Sequence, residues 1–573
     1  MRELLDLELP RTLGTLLARA ERERPARLQA WLFEDEAARR DAEQQLAALG
    51  IEARLRSAYK PILHAFLEEF GLAGHRQVRL RLPAGQARRL RVESYPLAGL
   101  LEGAALAFEA CDGPADAGRG LTVEVWLDGQ ARAVFVPLNA ALAPVGWLRC
   151  WGADGQLLED GPLQTDYQAA YEAVLAAVAA QDWPDHTPYF EQLWIELRTG
   201  GIERALPWGD EVISTREALH EDLYFTLLEF FQRRAGRAPG DRSLQPGQIV
   251  PLVCAGTGPT RLRLCLADAE PAAPAPRPAS PAPTLPPLEV VERPLHPDEV
   301  LRYLGGLAGE RFGARSHQGR EVAGLYRAGA LPGLVISGGQ HANESAGVVA
   351  ALRAAEALQR QPDAHYALVA LENPDGAALH QRLCREHPRH MQHAARFTAL
   401  GDDLEARSGG ALGEKAARQE AIARTGAGLH FSLHGYPAHE WTRPFSGYLP
   451  PGAEDWTLPK GFFLIMRHHP DCEPWPFMEA LTAALAQDPA LVAYNRRQHA
   501  LWRAHWGELP MPLRHDIPCL VGVDPRSRVP YTLITEFPDE TVYGPAMRFA
   551  HETLTRTVLL GAALYWQGLL KTP

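Results

Sequence analysis

Short apolar runs alternate with stretches of helical period across the second half of the chain. Gly333–Ser337 (GLVIS), His365–Leu371 (HYALVAL), Leu429–Leu433 (LHFSL) and Tyr531–Phe537 (YTLITEF) are apolar, with β-branched and aromatic side chains, and predict strands. Glu344–Gln359 (ESAGVVAALRAAEALQ) follows the first run and predicts a helix from its alanine- and leucine-rich composition. The most apolar stretch, Thr557–Leu570, is too short to cross a bilayer and predicts a buried helix. Strands separated by helices predict an α/β class, a C-terminal mixed sheet with helices on both faces. In such sheets ligands gather beyond the carboxyl ends of the strands.

The first half is patterned differently and predicts an α+β domain. Ala37–Leu49, Tyr171–Gln181 and Glu217–Gly236 read as helices, the last amphipathic and closed by glycine. Leu121–Leu127 and Ala131–Val136 flank Asp128-Gly129, the signal of a tight hairpin. Arg56–Gly71 loosely echoes Glu217–Gly236, a weak sign of duplication. Between the halves, Pro271–Pro287 holds eight prolines in 17 residues, which fixes φ and removes backbone donors. This run predicts a stiff, extended spacer. The expected organisation is an N-terminal domain over 1–268, a Pro/Ala-rich linker over 269–290 and a catalytic domain over 291–573.

Composition narrows the functional classes. The 573 residues carry a net charge of −12, which argues against a nucleic-acid binder. Seven scattered cysteines form no C-x-x-C pair, so neither a disulfide framework nor a cysteine zinc site is expected. A reducing, cytoplasmic setting is the simplest expectation. No apolar leader or membrane-spanning run is read, so no membrane partner is expected.

Candidate chemistry gathers at the predicted strand ends. The first strand exits through Gly338-Gly339 into His341-x-x-Glu344. A catalytic zinc takes three His or carboxylate ligands and keeps one open position. His-x-x-Glu also occurs at His296/Glu299 and His505/Glu508. The former reads as a helix start, and the latter lacks a preceding strand. His434 closes the third strand, and Glu536 lies near the end of the fourth, where a carboxylate suits a general base. His387, His390 and His393 recur every third residue, but Pro388 breaks the helix that would align them, and a solvated loop is expected.

Together these residues resemble the carboxypeptidase A-like family of zinc metallopeptidases, over about 200 residues of the second half. The resemblance implies one zinc on His341, Glu344 and His434, with Glu536 as base. Asn373-Pro374-Asp375-Gly376 matches the family's Asn-Pro-Asp-Gly loop, which implies a substrate-binding role for Asn373. Arg396, in RFTALGDDLEA, falls on the position that stabilises the oxyanion, with Arg385 as a rival. Where the family's Asn-Arg pair grips a terminal carboxylate, this chain has Glu405 and Ala406, with Arg407 next. Glu405 is expected to repel a free C-terminus and favour an amine, amide or neutral group.

The expected function is therefore a zinc hydrolase of an amide bond in a peptide or small molecule. The alternatives are a deacylase of N-acyl amino acids, similar to aspartoacylase and succinylglutamate desuccinylase, and an inactive metal-binding interaction module. The N-terminal domain is the expected place for any oligomer contact.

Overall fold

The structure, a computed structural model, describes residues 2–101, 103–112, 119–268, 284–407, 412–450 and 452–571. Most of the proline-rich run, residues 269–283, lies outside the described residues.

In the first half, Arg2–Leu9 pairs antiparallel with Thr260–Ala267, and Gln192–Thr199 and Gln248–Ala255 complete a four-stranded sheet. Two further four-stranded sheets are built on Arg27–Leu32 and on Gln77–Pro83. The hairpin at Asp128-Gly129 forms with Leu127 opposite Gln130, and both turn residues have positive φ. Helix α1, Thr215–Arg234, starts at a Ser214 cap that accepts from the Glu217 N–H. Arg56–Gly71 does not repeat α1: it is split among the end of a strand, one α-turn and a π-turn.

The second half is one nine-stranded sheet. In chain order its strands are β1 (Glu310–Arg315), β2 (Glu321–Arg327), β3 (Leu334–Gly338), β4 (Tyr366–Val369), β5 (Leu429–Tyr436), β6 (Phe463–His468), β7 (Leu513–Arg514), β8 (Ile517–Val523) and β9 (Tyr531–Pro538). Their spatial order is β1-β2-β4-β3-β5-β9-β6-β8-β7. The central strands β4, β3, β5 and β9 run parallel. Every residue of β3, β4 and β5 is buried, as expected for strands covered on both faces. One face is covered by α2 (Ser345–Leu358) and the long C-terminal helix Pro545–Trp566, which pack on each other. The other face is covered over β2 to β4 by Lys415–Thr425, through Ala417 and Ala421.

The sheet's parallel register does most of the positioning. β5 and β9 pair so that His434 stands directly opposite Glu536. Both lie at the carboxyl end of the sheet, where β3 also exits at Gly338.

The halves share one core. Leu379, Leu383, Ala394, Ala395 and Phe397 of the second half belong to the cluster that fills the first half. The polar side of α1 faces the second half rather than solvent. Glu217 accepts from the Met391 N–H at 2.6 Å, and Asp222 accepts from the Phe445 and Ser446 N–H groups. Glu229 pairs with Arg443 at 2.6 Å.

The expectation of a solvated loop at the spaced histidines is corrected here. His390 and His393 are 5% and 3% exposed, enclosed where the halves meet. His393 Nδ1 lies 2.5 Å from Glu221 of α1, and His390 Nε2 lies 3.1 Å from Glu203. Burial there leaves each imidazole needing a partner, and acids of the first half supply it.

Candidate active site

The exit of β3 is shaped by glycine. Gly339 has φ +61, and a Cβ there would press on Leu371 and Val348. The turn swings Gln340 and His341 over the sheet edge and delivers Glu344 to the start of α2. Gly435, just past His434, lies so close to Asp539 that a side chain would collide with that carboxylate. Its N–H donates to Glu344 Oε2 at 3.0 Å.

The Gly339 turn and the close approach at Gly435 bring three donor atoms together. His341 Nδ1 lies 2.7 Å from Glu344 Oε1, and His434 Nδ1 lies 2.9 Å from Glu344 Oε2. The two Nδ1 atoms are 3.2 Å apart. All three residues are buried, and together they form a group able to hold a metal ion. The outer ring nitrogens are held as well. His341 Nε2 lies 3.2 Å from Asp403 Oδ2, and His434 Nε2 lies 3.1 Å from Ser432 Oγ. Such outer partners fix ring orientation and leave the inner nitrogens free to ligate.

The charge balance fits a divalent cation. Glu536, Asp539 and Glu540 are buried beside Glu344, and Glu536 Oε2, Asp539 Oδ1 and Glu540 Oε2 have no hydrogen-bond partner. Burial, with the Glu344 charge next, pushes the Glu536 carboxyl well above the usual range. The same two causes, in that order, raise Asp539. Burial opposes ionisation of Glu344 too, but His341, Arg396 and His434 outweigh it and hold this carboxyl well below its usual range. Two imidazoles and one ionised carboxylate are the donor set of an open zinc site.

Of the other expected residues, Arg396 is part of this centre. Its Nη1 donates to Glu344 Oε1 at 2.6 Å and to Glu540 Oε1 at 3.0 Å. Arg385 is exposed and lies outside the cleft lining. Glu405 lines the cleft, 68% exposed, with Oε2 accepting from Arg418 Nη2 at 2.9 Å. Arg407 lies at the cleft edge with its guanidinium enclosed by Asp402 and Glu414. Asn373 is fully buried and outside the cleft lining. It caps the helix Pro374–Leu383 through Gly376 N and donates to the Phe397 carbonyl, bracing the segment that carries Arg396. The two other His-x-x-Glu pairs do other work. His296 and Glu299 form a capping box, and His505 is buried, binding the Arg91 carbonyl and Ala98 N–H.

Asp403, Arg242 and the acids Asp539 and Glu540 went unassigned in the sequence. Asp403 stands inside the quoted GDDLEA stretch, where the doubled aspartate was the available signal. Nothing local marks Arg242, which belongs to the first half.

The centre opens into a cleft of about 1350 Å³. The sheet face supplies Ser432, His434, Ile534 and Glu536, and α1 with its following loop supplies a wall that includes Phe225, Glu229 and Arg242.

No family model matches the chain, and no curated protein matches it. Among solved structures it is similar to a metallo-carboxypeptidase from Burkholderia cenocepacia, 15% identical, over 55% of this chain and 76% of that one, with a TM-score of 0.28. It is also similar to bovine thrombin-activatable fibrinolysis inhibitor, 12% identical, over 47% of this chain and 94% of that one, at 0.28. An aspartoacylase family protein from Mesorhizobium loti is 16% identical over 47% of this chain and 69% of that one, at 0.24. At these values the chemistry rests on the side chains described above. Among the described residues all seven cysteines are free, and no helix is long and apolar enough to cross a membrane.

Proposed function

We propose that this chain is a zinc-dependent hydrolase of amide bonds in peptides or peptide-like substrates. The observation that carries the reading is the convergence of His341 Nδ1, His434 Nδ1 and the Glu344 carboxylate, with the unpartnered Glu536 oxygen beside them. Zinc held by those three residues supplies Lewis acidity to water and to a substrate carbonyl.

Glu536 takes the proton of the attacking water and delivers it to the leaving nitrogen. Its position opposite His434 at the carboxyl end of the sheet fits that role. Arg396 holds Glu344 in place and offers the rest of its guanidinium to negative charge developing on the carbonyl oxygen. Asp403 and Ser432 keep the two imidazoles turned inward.

A cleft of about 1350 Å³ exceeds the roughly 300–1,000 Å³ of small-molecule sites and favours a peptide over a small N-acyl amino acid. The buried, unpartnered oxygen of Glu536 argues against an inactive module, since such a group costs stability without a task.

The test is Glu536→Gln in the zinc-loaded chain with a peptide library as substrate. Turnover is expected to fall by about 10²- to 10⁴-fold with zinc retained. A variant that keeps turnover within about threefold of the parent would remove Glu536 as the base.

A further inference from the structure

A second cavity, of about 350 Å³, lies in the first half, and none of its lining residues belongs to the cleft. Residues of the sheets built on Arg27–Leu32 and on Gln77–Pro83 line it, together with the turns at residues 61–70. Its volume is that of a small-molecule site, at the lower end of roughly 300–1,000 Å³.

A fixed charge pair stands behind one wall. Arg39, fully buried, grips Glu68 through Nη1 and Nη2 at 2.9 and 2.7 Å. Glu68 Oε1 lies 2.7 Å from His64 Nδ1. Burial opposes ionisation of Glu68, but the hydrogen bonds from His64 and Arg39 outweigh it and hold the carboxyl low. Burial also keeps the His64 imidazole below its usual range, against the pull of Glu68. The proton of the neutral ring therefore sits on Nδ1, facing an ionised acid, and Nε2 is a bare acceptor. His64 is 3% exposed and lines the cavity, and its Nε2 has no hydrogen-bond partner. Ser57, also in the lining, does not serve it, because the Ser57 hydroxyl is spent on the Tyr59 carbonyl and N–H.

The remaining polar lining is cationic. The Arg149 guanidinium stacks 4.1 Å from the centre of the Phe135 ring and 5.4 Å from that of Trp31. Its Nε donates to Asp160 at 2.8 Å, and its two Nη groups have no partner among the described residues. Arg56 is held by Glu69 through Nε and Nη2. Arg132 forms no ion pair among the described residues. With Arg39 balancing Glu68, Glu69 balancing Arg56 and Asp160 balancing Arg149, one positive charge is left over.

We propose that this cavity binds a small carboxylic acid that also carries a hydroxyl or N–H group, which gives the first half a ligand of its own. The carboxylate brings the single negative charge that the arginines lack and meets their unused N–H groups. The hydroxyl or N–H brings the hydrogen that His64 Nε2 accepts, relieving a buried polar atom that otherwise costs stability. Trp31 and Phe135, in edge contact at 4.8 Å, receive the carbon skeleton. The metal centre shares no residue with this site, so the proposal and the hydrolase reading fail separately.

The zinc-loaded full-length chain is titrated calorimetrically with lactate, 4-hydroxyphenylacetate and indole-3-acetate. At least one is expected to bind with a Kd below about 1 mM. Its counterpart without the donor (propionate, phenylacetate or 1-methylindole-3-acetate) and its carboxamide are each expected to bind about tenfold more weakly. Arg132→Ala is expected to weaken the acid about three- to tenfold, and His64→Leu to erase the preference for the donor. Arg132 is exposed on its strand, so its variant decides the site even where His64→Leu does not fold. Affinity unchanged in Arg132→Ala, or a donor preference that survives in folded His64→Leu, overturns the proposal and places the acid elsewhere, such as on the zinc. Absence of binding by all three acids at about 10 mM overturns it too and leaves His64 Nε2 to water.

Discussion

Two clusters in this molecule use the same residue types and do different work. His341, Glu344 and His434 aim their donor atoms at one point, with their outer nitrogens held by Asp403 and Ser432. Glu203, His387 and His390 are also close enough to hold an ion, but their lone pairs are spent differently. The two imidazoles lie stacked, 4.2 Å apart and within 4° of parallel, so their in-plane lone pairs do not converge. His387 Nε2 donates to the Val253 carbonyl at 2.6 Å, and Glu203 already accepts from Ser214 Oγ and Arg216 Nη2. Burial opposes ionisation of Glu203, but His390, Ser214 and Arg216 together outweigh it and hold the carboxyl down at about 2. One cluster is arranged for a cation, and the other bolts the halves together. Convergence of lone pairs, rather than residue composition, separates them.

The sharpest way to break this comparison is to delete one member of each cluster and count metal. His434→Ala is expected to reduce zinc from one per chain to less than about a tenth, since losing one of three ligands removes the site. Elemental analysis of dialysed protein measures it, and full occupancy in that variant would disprove the triad. The counterpart, Glu203→Ala, is expected to leave zinc content intact and lower stability by about 1–2 kcal/mol. That figure is discounted because the Glu203 side chain is one-third exposed. Chemical denaturation reads the loss, and a fall in zinc instead would move Glu203 into a metal site.

A finer distinction comes from pH. His439 Nε2 lies 3.2 Å from Glu217 of α1, and both are buried. Burial works against charge on the imidazole, but Glu217, joined by the Glu211 charge and the Arg389 backbone, outweighs it and lifts His439 to about 9. A raised folded value means the pair stabilises the fold fully below the unfolded value near 6.5, and that the contribution fades as pH rises through about 9. Thermal unfolding from pH 6 to pH 10 should therefore show a decline of up to roughly 3 kcal/mol that His439→Gln removes. An unchanged slope in the variant would assign the decline to other groups.

Much of the second half was readable because its strands are buried on both faces, which leaves an apolar run as their only signature. GLVIS, HYALVAL and YTLITEF fall on strands within a residue or two of their observed ends, and LHFSL starts where its strand starts and stops three residues short of Tyr436. The helix after the first run and the Asp128-Gly129 hairpin are likewise local features. Strands Phe463–His468 and Ile517–Val523 were not read; near the sheet's edge, Ile517–Val523 mixes buried and exposed positions and gives a weaker pattern. α1 was read as amphipathic, but its acids were not seen to face another part of the protein. An acid on a helix looks the same in sequence whether it meets water or a buried partner such as Arg443.

The chain's own order of residues determined which side chains stand at or near strand ends, because a short apolar run and the polar residues that follow it are local properties. It therefore named His341, Glu344, His434 and Glu536 as candidates. Tertiary structure decided the rest. Parallel register set His434 against Glu536 across a hundred residues, and packing of the halves brought the loop that carries Arg242 to the cleft. Such contacts depend on docking between distant surfaces, and docking leaves no periodicity or spacing to read in advance.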